Sequence, residues 1–313
     1  MIRRLLGRTG ISVSEIGFGC GPTAGLVIRA EAKARRDAVA HALELGIDYF
    51  DTAPIYGDTI SEQHLGMTLR ALDAKPFVAT KIALSLADLD DIPGAVTRSV
   101  KGSIERLGIA RLALVQLHNR VGGARAAKAD IGVGALLTVD DVLGPNGVVP
   151  ALQRLRARGL VEHFGCCAYG GEAAAIDRLI DSGVFETILV HYSLLNPSAW
   201  RVAGGDTRDY DRVGARATAA GMAAVALRVL DGGALFEAPA ATALADTTGI
   251  DLPALALRFV LSNAAVSTAI VGFSDIAQID AACGAAAAGP LPTDVVARIE
   301  ALQSRNFRHG PAN

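Results

Sequence analysis

The sequence predicts a (β/α)8 barrel, the TIM-barrel architecture, as a single domain spanning residues 1–313. Eight short apolar runs of strand type alternate with segments whose apolar residues recur at helical spacing. The strand-like runs are continuously apolar, which indicates burial on both faces and therefore a parallel sheet. Eight such units in a chain of 313 residues match the size of this barrel. A doubly wound open sheet is the alternative on pattern alone.

The predicted elements alternate along the whole chain. The strands are 13–20, 47–53, 77–84, 112–118, 162–169, 186–195, 223–230 and 267–273. The helices that follow them are 31–46, 61–72, 93–108, 147–159, 172–183, a segment near 206–220, helices ending near 262, and 275–288. Glycine closes four of these helices, as expected where the chain leaves a helix in a left-handed conformation: Gly46, Gly108, Gly159 and Gly183.

Three segments lie outside this repeat. Residues 1–17, MIRRLLGRTGISVSEIG, place a glycine-bearing turn between two apolar runs and predict a hairpin across the bottom of the barrel. Residues 293–303 have helical spacing and predict an extra C-terminal helix. Residues 119–146 form an unusually long connection after the fourth strand, so we expect this connection to be functional and to lie at the C-terminal face.

Composition and charge argue against several classes of protein. The net charge of −2 and pI near 6.3 favour neither nucleic acid nor an anionic membrane as a partner. No apolar run approaches the roughly 18 residues of a membrane span, and the N-terminus does not resemble a signal peptide. The four cysteines match no metal framework and indicate reduced, buried thiols in a cytoplasmic protein, with Cys166 and Cys167 on opposite faces of a strand. We therefore expect a small-molecule partner; the sequence carries no signal for an oligomeric state.

Four polar side chains lie at or just after the ends of consecutive strands. Asp51 ends the second strand, Tyr56 follows it, Lys81 lies in the third strand and His118 ends the fourth. In a barrel, the carboxyl ends of the strands surround the active site. Each residue has a structural alternative: Asp51 as a turn or cap, Tyr56 and His118 as packing residues, Lys81 in an ion pair. The convergence of all four at one end of the barrel favours a catalytic role over these structural ones.

This set of groups suits the interconversion of a carbonyl and an alcohol. Hydride transfer to a carbonyl creates an alkoxide that needs a proton, and a phenol of pKa about 10 needs help to exchange one near neutral pH. We expect Lys81 to lower the pKa of Tyr56 and Asp51 to keep Lys81 charged. His118 would donate a hydrogen bond to the substrate oxygen or relay the proton. The hydride itself must come from a cofactor.

The segments GIDYFDTAPIYGDTISEQHLGMTLR, VATKI and LVQLHN together resemble the aldo-keto reductase family. The resemblance covers essentially the whole chain. It implies a (β/α)8 barrel, a nicotinamide cofactor bound in an extended form without a Rossmann fold, and the tetrad Asp51, Tyr56, Lys81 and His118. Tyr56 would be the general acid/base.

The resemblance also implies cofactor contacts at the strand ends. The residues concerned are Gly21, Asp51, Cys167, Leu227, Arg228, Gly272, Phe273, Ser274, Asp275 and Gln278. Several depart from the family pattern: Cys167 and Ala168 replace a Ser-Asn pair, Leu189 replaces a Gln, and Leu227 and Arg228 replace a stacking aromatic. We therefore expect the nicotinamide carboxamide to be held in part by backbone groups.

The stretch after the last strand bears on the choice between NAD and NADP. Residues 272–279 contain no Lys or Arg, whereas family members that use the phosphorylated cofactor usually carry one there. Asp275 would repel a 2′-phosphate but accept a hydrogen bond from a ribose hydroxyl. NAD is therefore the preferred prediction and NADP the alternative. Asp275 has the structural alternative of a helix N-cap, and Arg228 could reverse the preference.

The chain is similar to the branch of the family that oxidises aldoses such as fucose, galactose or threo-configured sugars, and to pyridoxal 4-dehydrogenase. We expect a dehydrogenase for a cyclic hemiacetal or hydroxymethyl alcohol, with Tyr56, His118, Asn119 and Trp200 contacting the substrate. An NADPH-dependent aldehyde reductase, a slowly turning-over redox-sensing subunit and an unrelated phosphate-binding barrel enzyme are the alternatives. Asp48, three residues before Asp51, is interpreted as structural.

Overall fold

A computed structural model describes residues 1–125, 133–202 and 208–304 of the chain. Among these residues, eight parallel strands form a closed barrel in which each strand pairs with its neighbours in sequence order. The last strand pairs with the first in the register Ala269 to Ile16, which closes the ring. The (β/α)8 prediction is confirmed, and the open sheet is wrong. The barrel strands are Ile16–Gly19, Tyr49–Asp51, Phe77–Ile82, Leu112–Leu117, Val161–Cys167, Thr187–His191, Ala223–Leu227 and Val266–Gly272.

The first predicted strand, 13–20, is two strands with different partners. Ser12–Ser14 pairs antiparallel with Arg3–Leu5 in the N-terminal hairpin, whereas Ile16–Gly19 enters the barrel. Glu15 joins the two strands, and its backbone bonds to both the hairpin and the last barrel strand. The sequence showed one apolar run because both parts are extended and largely buried.

The hairpin covers the amino-terminal end of the barrel, as predicted. Leu6 and Val13 are fully buried against side chains that fill the barrel interior. Arg4 pairs with the buried carboxylate of Glu15 at 2.8 Å. The Arg4 guanidinium also donates to three backbone oxygens beside the last barrel strand, those of Leu261, Asn263 and Val266. The hairpin is therefore attached to the barrel by both apolar contacts and hydrogen bonds.

Asp48 belongs to this lower end of the barrel. Its Oδ1 accepts a hydrogen bond from the Ser14 backbone at 2.7 Å, and its other oxygen pairs with Arg3. Asp51 lies at the opposite end of the same strand. The structural interpretation of Asp48 is confirmed.

Helices surround the barrel in the predicted alternation. Gly108 ends the helix Ile92–Leu107 at φ 67°, in the left-handed conformation that the sequence indicated. The predicted segment near 206–220 contains the helix Val213–Ala219, while 203–207 lies outside the described residues. The described α-helices are Leu26–Arg29, Ala32–Glu44, Ile60–Ala71, Ile92–Leu107, Val139–Leu143, Val148–Ala157, Ala173–Asp181, Val213–Ala219, Pro239–Thr248, Leu252–Leu261, Ile276–Ala287 and Thr293–Gln303.

Apolar side chains form two layers of core, one inside the barrel and one between the strands and the helices. Because successive side chains of a strand point to opposite faces, adjacent residues contribute to different layers. Cys166 packs in the outer layer and Cys167 in the inner one, as predicted. All four cysteines are free thiols, and three are buried, whereas Cys283 is half-buried.

The long connection 119–146 contains some regular structure. Val121–Gly122 pairs in parallel with Leu137–Thr138, and the helix Val139–Leu143 follows directly. Residues 126–132 of this connection lie outside the described part of the chain. In the ranges that are described, no helix is both long and apolar enough to span a membrane.

Candidate active site

The second barrel strand and the turn after it bring Asp51 and Tyr56 to the carboxyl end of the barrel. Tyr56 N donates to the Ala53 carbonyl at 3.1 Å, and Thr59 N donates to the Pro54 carbonyl at 2.7 Å. These bonds fold the chain back immediately after the strand. Gly57 adopts φ 61°, a conformation that favours glycine. The turn therefore returns the phenol towards the strand end.

Lys81 is the centre of the site. Its Nζ donates to Asp51 Oδ1 and, at 2.9 Å, to the Thr52 carbonyl, and the side chains of both charged residues are almost completely buried. The ion pair expected from the sequence is confirmed. Gln116, which sequence analysis did not single out, donates through Nε2 to Asp51 Oδ2 at 3.1 Å. Both carboxylate oxygens of Asp51 are therefore hydrogen-bonded.

The ammonium group of Lys81 also reaches Tyr56. Nζ lies 4.8 Å from the centroid of the Tyr56 ring. Burial lowers the pKa of Lys81, but the opposing influence of Asp51 and Tyr56 prevails and the pKa is raised above its ordinary value. Lys81 is therefore a permanent cation beside the phenol.

Tyr56 remains a protonated phenol. Burial raises its pKa, and Lys81 lowers it by a smaller amount, so the net pKa lies above its ordinary value. Lys81 lowers the pKa of Tyr56, as expected, but desolvation of the phenolate outweighs the attraction of the cation. In this state Tyr56 is a proton donor.

His118 completes the group at the end of the fourth strand. Its ring meets the edge of the Tyr56 ring at a centroid distance of 5.9 Å. Burial, followed by the charge of Lys81, lowers the pKa of His118 to about 2. The imidazole is therefore neutral, and its Nδ1 has no hydrogen-bond partner in the described part of the chain. A neutral imidazole next to the phenol can bind a polar substrate oxygen without competing for the proton.

An aromatic wall, which sequence analysis did not identify, extends outward from His118 and consists of Tyr169, His191 and Tyr210. The Tyr169 ring meets His118 edge-on at 6.2 Å and stacks on His191 at 4.7 Å, with the ring planes 6° apart. His191 Nδ1 is hydrogen-bonded to the Tyr210 hydroxyl at 2.7 Å. Tyr169 and His191 follow or end the fifth and sixth strands, so the strand-end rule could have found them.

Comparison with known proteins identifies the family of this chain. The sequence model described as the aldo/keto reductase family matches residues 15–304. The chain belongs to the aldo/keto reductase family. It is therefore an NAD(P)-dependent oxidoreductase that acts on CH–OH and carbonyl groups.

Similar members of the aldo/keto reductase family include sugar and pyridoxal dehydrogenases. L-galactose dehydrogenase of Arabidopsis thaliana is 29% identical over 88% of this chain and 85% of its own length. D-threo-aldose 1-dehydrogenase of Pseudomonas is 26% identical over 86% and 88%, and pyridoxal 4-dehydrogenase of Microbacterium luteolum is 29% identical over 52% and 54%. The holo form of an aldo-keto reductase from Bacillus halodurans has a TM-score of 0.76 at 23% identity, covering 97% of this chain and 96% of its own.

In this aldo/keto reductase, the predicted cofactor residues after the last strand lie at a helix N-terminus. Asp275 caps the helix Ile276–Ala287, because its Oδ1 accepts from Gln278 N at 2.9 Å. Gln278 Oε1 in turn accepts from Ser274 N at 2.9 Å. Gly272 is exposed, whereas Phe273 is buried against Phe18. The helix-cap alternative for Asp275 is thus observed.

The other predicted cofactor residues line the same end of the barrel. A Cβ atom on Gly21 would lie 3.6 Å from the Tyr56 ring, so Gly21 packs beside the phenol. Cys167 and Leu227 end the fifth and seventh strands, and burial raises the pKa of the Cys167 thiol to about 12. Arg228 is exposed and adopts φ 63°, unusual for a long side chain.

Two residues predicted to contact substrate make contacts within the folded chain of this aldo/keto reductase. Asn119 is buried, and its amide is bonded to the backbone N and O of Leu84 and to the Ala135 carbonyl at 2.8–2.9 Å. The Trp200 ring packs against the Tyr192 ring at a centroid distance of 4.5 Å with the ring planes 59° apart, and it lines an outer cavity with Phe259. Both side chains therefore pack within the folded chain, and substrate contact stays a prediction for each.

Proposed function

We propose that this aldo/keto reductase oxidises a cyclic hemiacetal or a hydroxymethyl alcohol with NAD(P)+ and that Tyr56 is its general acid/base. The observation that carries the proposal is the buried set in which Asp51 holds Lys81 against Tyr56 while His118 meets the same ring. A buried ion pair is costly to form unless its geometry is satisfied. A purely structural pair would not require a phenol and a neutral imidazole beside it.

The proton step follows from the electrostatics of these four residues. In the oxidation direction, the Tyr56 phenolate, which Lys81 stabilises, takes the proton of the alcohol as the hydride leaves carbon and becomes the phenol. In the reduction direction, the phenol returns the proton to the developing alkoxide. The nicotinamide, when bound, supplies or accepts the hydride. His118 donates a hydrogen bond that fixes the substrate oxygen between the two groups.

The aromatic wall of Tyr169, His191 and Tyr210 suits a polar ring substrate. Its flat faces can stack on the apolar face of a ring, while the phenol and imidazole edges offer hydrogen bonds. The names of the three dehydrogenase relatives point to the same class of substrate. We therefore propose an aldose or pyridoxal-type substrate.

The preference for NAD rests on the residues after the last strand. The exposed helix N-terminus at Asp275 fits an anionic cofactor because its first-turn N–H groups attract negative charge. The Asp275 carboxylate repels a 2′-phosphate, and residues 272–279 contain no cation to offset it. We expect NAD(H) to bind at least tenfold more tightly than NADP(H) in fluorescence titrations. Tighter binding of NADP(H) than of NAD(H) would overturn this assignment. Asp275→Asn should reduce the ratio between the two affinities.

Replacement of Tyr56 tests the catalytic assignment. Tyr56→Phe should reduce kcat at least a hundredfold, since general acid/base groups contribute about 10²–10⁴ in rate. Binding of NAD(H) should remain within a few-fold of that of the unaltered protein. Turnover of a panel of aldoses, pyridoxal and simple aldehydes provides the measurement.

Tyr192→Phe is the matched control for Tyr56→Phe. Tyr192 is a buried tyrosine that packs with Trp200 and Phe259 in the outer core, whereas Tyr56 is partly exposed. Removal of the Tyr192 hydroxyl in this variant should leave kcat unchanged. Undiminished turnover in Tyr56→Phe would sink the assignment, and failure to bind any dinucleotide would favour another kind of barrel enzyme.

A second candidate, the reduction of aldehydes with NADPH, uses the same residues in the opposite direction. The raised pKa of Tyr56 favours it, because the protonated phenol is ready to donate. Comparison of kcat/KM in both directions separates the two. A redox-sensing subunit would instead bind cofactor and show slow turnover with every substrate in the panel.

A further inference from the structure

The Asp51 carboxylate is held by donors from two different strands. Lys81, on the third barrel strand, donates to Oδ1, and Gln116, on the fourth, donates to Oδ2 at 3.1 Å. Only 3% of Asp51 and none of Gln116 is exposed. Water is therefore a poor substitute for either donor. The orientation of Asp51 depends on both donors together.

The strand register explains why Gln116 points at the site. Gln116 is paired with Lys81 on one side and with Gly165 on the other. Paired residues of neighbouring parallel strands point to the same face, so Gln116 and Lys81 both enter the barrel interior. A Cβ atom on Gly165 would lie 2.9 Å from Gln116 Cγ, and the glycine leaves room for the long amide side chain.

The orientation of the amide follows from charge. The Nε2 group must face Asp51, because the amide oxygen would be repelled by the carboxylate. This orientation leaves Gln116 Oε1 buried without a hydrogen-bond partner among the described residues. A buried polar atom without a partner is unfavourable. The arrangement therefore keeps the hydrogen bond from Nε2 to Asp51 even though the amide oxygen is left without one.

We propose that Gln116 is a positioning residue that fixes the Asp51 carboxylate so that Lys81 is directed at Tyr56. This inference rests on the proposed function of the tetrad. The amide adds a hydrogen bond without adding charge, so the Lys81–Asp51 pair stays electrically balanced. Without it, Asp51 turns to find another donor and draws Lys81 Nζ away from the Tyr56 ring. In this proposal Gln116 acts through Asp51 and Lys81 and takes no part in the proton transfer itself.

Two variants test this role. Gln116→Met retains the length of the side chain but has no amide, so kcat should fall at least tenfold while NAD(H) affinity remains unchanged. Gln116→Glu is isosteric and introduces a carboxyl group beside Asp51. Protonated at low pH, it donates as the amide does; ionised at higher pH, it repels Asp51. Its kcat should therefore decline as pH rises from 6 to 9, relative to the unaltered enzyme.

Thr187→Val is the control. Thr187 is fully buried and, like Gln116, lies beside Gly165. Its hydroxyl has no hydrogen-bond partner in the described part of the chain, members of the tetrad included. Its removal should leave kcat and the pH profile unchanged. Unaltered kcat and pH profile in both Gln116 variants, with Tyr56→Phe inactive, would overturn this inference alone.

Thermal unfolding keeps the two proposals distinguishable. The melting temperature of Gln116→Glu should fall with rising pH relative to the unaltered protein, because the introduced carboxyl has a higher pKa when folded than when unfolded. This measurement needs no substrate. A parallel pH dependence of both proteins would contradict the positioning role, whereas absence of turnover with every substrate would contradict only the proposed function.

Discussion

Lys81 illustrates how one residue sets the chemistry of its neighbours. It is a buried cation whose charge is balanced by Asp51, and it lowers the pKa of both Tyr56 and His118, which favours the charged form of the first and the neutral form of the second. It lowers the pKa of Tyr56, although burial has the larger effect, and it adds to the burial that keeps His118 uncharged. The site therefore contains one cation, one anion and two neutral rings.

The pH dependence of the reaction should reveal the state of Tyr56. Reduction needs the phenol, which persists to high pH because the pKa of Tyr56 is raised above its ordinary value of about 10. Oxidation needs the phenolate, so its kcat/KM should still be rising from pH 7 to 10, while that of reduction stays nearly flat. Rate profiles in both directions provide the measurement; an oxidation rate that levels off below pH 8 would show a lowered pKa instead.

The sequence was most informative where a residue's role depends on strand position. Asp51, Lys81 and His118 could be predicted because strand ends converge in any barrel. The net pKa of Tyr56 could not, because it depends on how deeply the folded chain buries the phenol. The division of the first predicted strand into two at Glu15 was not predicted, because the hairpin strand and the barrel strand have the same pattern of apolar residues. The contacts of Asn119 with Leu84 and of Trp200 with Tyr192 could not be predicted, because loop side chains are oriented by residues distant in the sequence.

At the scale of elements, the connection after the fourth strand is anchored through Asn119. Its amide ties the end of that strand to the Leu84 backbone and to Ala135, where the long connection returns. Three hydrogen bonds from one side chain hold two loops together. Asn119 therefore shapes the mouth of the barrel indirectly.

Asn119→Ala should lower the free energy of unfolding by about 2–4 kcal/mol, because buried backbone groups at Leu84 and Ala135 lose their partners. Urea denaturation at pH 7 gives the value. Gln63→Ala, which removes an exposed amide bonded to Thr59, should change it by less than about 0.5 kcal/mol. Equal effects of the two substitutions would show that the Asn119 bonds are not stabilising.

At the scale of the whole molecule, the groups that secure the hairpin and the proposed catalytic tetrad lie at opposite ends of the barrel. The hairpin, Arg4, Glu15 and Asp48 secure the amino-terminal end, while the tetrad lies at the carboxyl end. This separation is the general pattern of the fold. Substitutions at the lower end should therefore affect folding without affecting turnover of the folded enzyme.

Arg4→Met is the test of that separation. It leaves the buried Glu15 carboxylate unpaired, so the free energy of unfolding should fall by roughly 3–5 kcal/mol. Arg3→Met removes an exposed pair with Asp48 and should cost at most about 1 kcal/mol. Denaturation curves and kcat per folded molecule are measured together; a decrease in kcat in Arg4→Met would contradict the separation.

The closed amino-terminal end of the barrel also determines how cofactor and substrate reach the tetrad. Leu6 and Val13 fill the base of the barrel, so in the described part of the chain the tetrad is approached from the carboxyl side alone. Cofactor and substrate must share that entrance. Whichever of the two lies deeper has to enter first and leave last. The closed base formed by Leu6 and Val13 therefore helps to determine the order of binding.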